Sequence, residues 1–249
     1  TVSVQKPILR RMPYFQAQLD GPWSDADTPK VSLPCSAEEF GLLVRRFYTG
    51  EPLRSPAGPT LSCAAVLRLA AAADMLMVVG QMPELPELLR DSILTPEDAQ
   101  LAACAAAVLP AEFAAPLSGL SGAPALQKQA VEEMIWSART EEAQDAAAAI
   151  LHAQRGRLDA DGVAKTAGRL LASGSAPSVR WAARVARDHL NAEQGTRAFG
   201  ALVRVHPSNI VGAVHEAYVA HVSRCARQGS TVALAGALAL PAFREQRRY

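Results

Sequence analysis

The feature that most constrains this chain is a strongly apolar, alanine-rich segment, residues 62–79, with LRLAAAADML at its centre; a second such run, DAAAAI, lies at 145–150. Alanine has the highest intrinsic helix propensity, so these segments commit much of the length to helix. Beyond residue 124 every segment reads as helical. The spacing predicts helices over 125–137, 141–154, 161–172 and 178–190. A longer helix capped by Ser208 follows, with Val211, Val214, Tyr218, Val222 and Cys225 as its apolar stripe. No internal repeat is exact, but paired helices of similar length leave a solenoid open.

The amino-terminal third reads differently. Ile8, Leu9, Met12, Phe15 and Leu19 make one apolar face over 8–19, and Pro13 divides that segment into two short helical pieces. Asp20-Gly21-Pro22 closes it. Lys30-Val31-Ser32-Leu33 alternates polar and apolar between prolines and is predicted as a short strand. Ser36 with Glu39 forms a capping box for a helix that buries Phe40, Leu43, Val44 and Phe47 and stops at Gly50. EPLRSPAGPT is a loop. ELPELLRDSIL is a short helical piece, and Thr95-Pro96-Glu97-Asp98 opens another helix with cap, proline and dipole-facing acids. LSGLSGAP, residues 117–124, is the linker candidate.

Composition excludes several classes of function. The chain has 249 residues, 49% of them hydrophobic, and 25 basic against 24 acidic residues give a net charge of +1. A core is affordable, and neither nucleic acid nor an anionic membrane is expected as a partner. No apolar run of about 18 residues is present, and no signal-peptide layout opens the sequence. The first residue is Thr1, so a piece of a longer protein is expected. Cys35, Cys63, Cys104 and Cys225 are widely spaced with no CxxC pairing, which suits a reducing, cytoplasmic setting, the nucleus or a cytoskeletal assembly being open as well.

The order of the amino-terminal elements resembles the BTB/POZ domain. The residues that carry the resemblance are Pro13, Tyr14 and Phe15; Val31, Ser32 and Leu33; Phe40, Phe47, Tyr48, Thr49 and Gly50; and Leu69 to Leu76. TPEDAQLAACAAAV followed by LQKQAVEEMI is similar to a BACK-type helical extension, with residues 109–124 as an insertion. The resemblance implies an α+β domain with a small sheet over 1–94, a BACK-like extension over 95–154, and a further helical region over 155–249. Only about seven residues precede Ile8, so the dimer-forming helix and hairpin with which the family opens are expected to be either missing from this chain or diverged, and homodimerisation through that interface is open.

What the resemblance implies about function is binding rather than catalysis. Trp23-Ser24-Asp25 is similar to the exposed loop by which cullin-3-binding members engage their partner: an exposed ring fills a pocket while an acid orients the approach. The plainer alternative packs Trp23 over the neighbouring helix and leaves Asp25 solvated. Trp23, Asp25 and Tyr48 are the candidate partner-binding residues. The expected role is a scaffold or docking subunit of a larger assembly; the alternative is a substrate adaptor of a cullin-3 ubiquitin ligase.

Catalytic, cofactor and metal motifs do not appear: GxxxxGK[ST], GxGxxG, HExxH and GxSxG are all missing. No cofactor is expected. His215 and His221 lie six apart on one helix, a poor metal pair, and read as ordinary surface histidines. Cys63 and Cys104 read as small core residues, and Asp74 as a structural hydrogen-bond acceptor near a helix end. Arg180, Arg184 and Arg187 read as a solvated face, the alternative being a surface for phosphate or an acidic partner.

Overall fold

The computed structural model describes residues 4–21, 31–53, 61–117, 127–154, 159–172, 176–205 and 213–238. The chain divides into two compact units, Thr1–Arg155 and Gly156–Tyr249.

In the first unit, α1 (Lys6–Leu9) and α2 (Pro13–Asp20) are the two pieces Pro13 separates, proline taking the first position of α2, where its missing N–H costs nothing. α3 (Ala37–Thr49) begins in the expected capping box: Ser36 Oγ accepts from the Glu39 N–H at 3.1 Å, and Glu39 Oε2 accepts from the Ser36 N–H at 2.8 Å. It ends at Gly50, whose φ of 73° is left-handed. α4 (Cys63–Met75) is apolar all round except for Arg68 and Asp74, and a helix of that kind has to be buried. Its residues from Cys63 to Ala73 are all in the core apart from Arg68. α5 (Leu85–Asp91), α6 (Pro96–Ala106), α7 (Ala114–Leu117), α8 (Gln127–Ser137) and α9 (Glu141–Ala153) complete the unit.

α4 is its axis, packing along α9 and also touching α3, α5 and α6. The contact between α4 and α9 is made largely by alanines, Ala146–Ala149 of α9 being buried with Ile150 and Leu151. Methyl-sized side chains let two helices lie close, since the distance between axes is set by the side chains at the contact. Two polar pairs in this interior are tied. Glu39 is 7% exposed and takes the Arg68 guanidinium on both carboxylate oxygens, Nη2 to Oε1 at 2.6 Å and Nε to Oε2 at 3.2 Å. Gln154 Nε2 donates to Asp74 Oδ2 at 2.5 Å, so Asp74 takes the structural hydrogen bond expected of it.

The second unit is a stack of helices: α10 (Ala160–Ala172), α11 (Ala176–His189), α12 (Ala192–Val205), α13 (Ala213–Arg227) and α14 (Thr231–Leu238). Each packs on the next and on the next but one: α10 on α11 and α12, α11 on α12 and α13, α12 on α13 and α14, and α13 on α14. That is the connectivity of an α-solenoid, in two layers, with α10, α12 and α14 in one and α11 and α13 in the other. Trp181 and Phe199 fill the space between the layers, each at most 2% exposed.

The expected α+β class is corrected. Among the described residues there is no strand, and the first unit is helical like the second. Val31 and Leu33 are half-buried and Ser32 is exposed, so the alternation is real. It marks which side chains turn inward and does not make a sheet: a strand needs a partner to take its backbone groups, and none lies alongside among the described residues. The helical character expected after residue 94 agrees with the structure. Three helices in this part, α7, α12 and α14, have no counterpart in the sequence reading. Lys30, residues 118–124, Ser208 and residues 244–249 lie outside the described set.

α4 stops at Met75, four residues before Val79, the expected end. Val78 N–H bonds to Ala73 O and Met77 N–H to Asp74 O, a Schellman ending, with Met77 at φ 60° where a glycine is usual. α13 ends in the same way, with Gly229 at φ 66°. The missing glycine is why the first stop was illegible.

Candidate functional site

Of the three candidate partner-binding residues, Trp23 and Asp25 lie outside the described residues. Tyr48 stands in the last turn of α3, 46% exposed. Its surroundings are fixed by the segment between α1 and α2. Arg11 Nη1 donates to Phe47 O at 2.6 Å, and Tyr14 N–H reaches Leu76 O at 3.4 Å, so four consecutive residues lie across the carboxyl-terminal ends of both α3 and α4. Met12 and Phe15 lock that segment into the core at 0% and 3% exposure. Immediately beyond the two bonded carbonyls stand Tyr48 and Met77, the latter 68% exposed. Sequence reasoning missed Met77, since a left-handed methionine leaves no compositional trace. An exposed, flexible thioether and a half-exposed ring are each suitable contacts for a protein surface. Left-handed backbone costs a side-chain-bearing residue about 1–2 kcal/mol, and strain of this kind gathers at functional positions.

Electrostatics divides the two units. Residues 1–155 hold 12 Lys and Arg against 18 Asp and Glu, whereas residues 156–249 hold 13 against 6. The near-neutral total therefore joins a unit of net charge −6 to one of +7, which counting the whole chain concealed. Within the second unit Arg180 is exposed; Arg187 is exposed and pairs with Asp188, Nε to Oδ1 at 2.6 Å; and the Arg184 guanidinium lies 6.0 Å from the centre of the Trp181 ring. The stripe is solvated, as expected.

His221 corrects the sequence reading outright: it is 0% exposed, not a surface residue. The His215 side chain lies outside the described set. Gly195 of α12 makes room for the His221 ring, since a Cβ there would stand 2.5 Å from Cε1. Arg224 Nη2 lies 3.0 Å from Nδ1. Guanidinium only donates, so Nδ1 accepts and the proton is on Nε2. That Nε2–H points to Thr196 Oγ1 at 3.0 Å, while the threonine hydroxyl donates to Ala192 O at 2.8 Å. Cys225 Sγ is 3.5 Å from the same protonated nitrogen, which therefore cannot act as a base toward the thiol. Burial, and then the Arg224 charge, push His221 down to about 4. The other thiols are equally unsuited to nucleophilic chemistry. Burial first, then Glu39, Asp98 and Glu133 respectively, pushes Cys35 and Cys63 up to about 12 and Cys104 up to about 11. Cys63 and Cys104 are core residues, as expected.

Among the described residues no group of His, Cys, Asp and Glu is arranged to hold a metal ion, and no helix is long and apolar enough to cross a membrane. No protein-family model, curated protein or solved structure matches the chain significantly.

Proposed function

We propose that the chain is a non-enzymatic protein–protein docking module, a helical scaffold subunit of a larger assembly working in a reducing, cytoplasmic compartment. The observation that carries this reading is that Tyr48 and Met77, each following a carbonyl bonded by the segment Arg11 to Tyr14, are open to solvent, with backbone strain retained at Met77. Nothing in the packing of α4 requires a methionine there, because the side chain is largely outside the core. A partner's pocket is the natural taker of such a side chain. The solenoid stack and its net charge of +7 suit it to a second contact, with an acidic partner surface. Four unpaired cysteines agree with the compartment. The alternative, a cullin-3 adaptor, rests on Trp23-Ser24-Asp25, outside the described residues, and on the helical extension.

The test is recovery of partners in fixed stoichiometry with the full chain, compared with the Tyr48→Ser, Met77→Gly double variant. The reading expects a stoichiometric companion that the double variant loses. Equal recovery by both chains overturns it.

A further inference from the structure

The geometry points to His221 as a pH-sensitive latch that holds the last helical hairpin, α13–α14, onto the solenoid stack. The latch is a chain of bonds through three elements. Arg224 reaches from α13 to the carboxyl-terminal end of α11, Nη1 donating to Arg187 O and Nη2 to Ala186 O at 3.2 Å. Those carbonyls belong to the last turn of α11, where no intrahelical donor remains, so Arg224 caps α11 from a neighbouring helix. The same Nη2 is oriented by His221 Nδ1 at 3.0 Å. On the other side of the ring, Nε2–H engages Thr196 of α12, whose Oγ1 also lies 3.3 Å from Ala233 O of α14. One neutral imidazole thus connects the arginine that grips α11 with the threonine that touches α14.

Protonation reverses the ring's role on one side only. A proton on Nδ1 turns the acceptor of the Arg224 N–H into a donor and sets two cations against each other. Among the described residues no carboxylate facing the ring compensates. α12 presents Gly195, Thr196 and Phe199, and α14 presents the Ala233 carbonyl. α13 itself adds Arg224 and Cys225, with Tyr218 beyond Phe199. At the end of α11 are Arg187, His189 and Asp188, and the Asp188 carboxylate is taken by Arg187 on both oxygens. The protonated ring has to expel Arg224, which uncaps α11 and frees α13.

The sign follows from the displaced titration. Closed, His221 titrates at about 4; released to solvent, it returns toward its ordinary 6.5. The latch is therefore fully set above about pH 6.5 and is lost as pH falls through about 4, the open population rising up to roughly tenfold per pH unit between. The hairpin is the element that yields, because in a solenoid each helix is held only by its neighbours.

Hydrogen–deuterium exchange of the full chain, with labelling times scaled for chemical exchange, reads this directly at about pH 7.5, 6 and 4.5. Peptides covering 213–238 are expected to lose protection roughly tenfold or more on acidification while those covering 160–172 keep theirs, and His221→Gln is expected to abolish the difference. In parallel, the imidazole 15N shifts of the wild-type protein are expected to give the Nε2–H tautomer at neutral pH and a midpoint well below 6.5. Protection of 213–238 that is unchanged relative to 160–172, an unaltered pH response in His221→Gln, or a His221 midpoint near 6.5 overturns the proposal.

Discussion

Replacing Met77 by glycine is expected to stabilise the first unit and weaken its partner contact at once. Met77 sits at φ 60°, and its side chain is 68% exposed. Relief of the left-handed strain is worth about 1–2 kcal/mol. Against it stand the extra freedom of glycine in the unfolded chain, about 0.5–1 kcal/mol, and a few tenths for the minor part of the side chain that is covered. The net gain is about 0.5 kcal/mol, which slows exchange of the α4 amides roughly twofold. Met77→Val separates strain from composition. A β-branched residue is a genuine outlier in this region, so its expected cost is about 1 kcal/mol relative to methionine and exchange speeds up accordingly. Both variants remove the thioether, and both are expected to lower partner recovery. The reasoning is refuted if Met77→Gly exchanges faster than the wild type, or if Met77→Val matches it, for then no strain is stored at the end of α4.

Three further outcomes are expected. Glu39→Gln keeps the capping box and deletes the charge opposite Arg68; with these side chains 9% and 18% exposed, the cost is about 2–3 kcal/mol by urea denaturation, and Glu39→Ala adds about 1 kcal/mol for the lost cap. Glycine-to-alanine exchange should change sign with location. Gly41→Ala, mid-helix in α3 with nothing within 4 Å of the new methyl, stabilises by about 0.5–1 kcal/mol, whereas Gly195→Ala drives a methyl to 2.5 Å from His221 Cε1 and raises exchange across 213–238. Cys35, Cys63 and Cys104, pushed up to about 12, 12 and 11, are expected to react with an aromatic disulfide at neutral pH far more slowly in the native protein than after denaturation.

What could be read from the sequence was whatever a few neighbouring residues decide. Pro13 split a helix, Ser36 with Glu39 and Thr95 with Asp98 started two others, and Gly50 ended one, because capping and backbone freedom act within a turn. The strand failed for the opposite reason: burial alternation at Val31 and Leu33 is local, but a sheet is a relation between distant segments. The resemblance that supplied a sheet rested on the same short pieces. His221 looked like a surface residue because its burial depends on Gly195, 26 positions earlier and on another helix. Met77 was invisible since its conformation is imposed by Schellman bonds to Ala73 and Asp74 with no glycine to announce them. The opposite charges of the two units were countable throughout, but only once the boundary at Arg155 and Gly156 was known.

The neighbour-by-neighbour packing of α10 to α14 also decides how the second unit meets mechanical load. Among the described residues the main contacts of α14 are with α12 and α13, so tension on its carboxyl-terminal side falls first on that seam. Such a stack lengthens by shedding one hairpin at a time and shortens again when the pull relaxes, behaving as a soft spring rather than a brittle block.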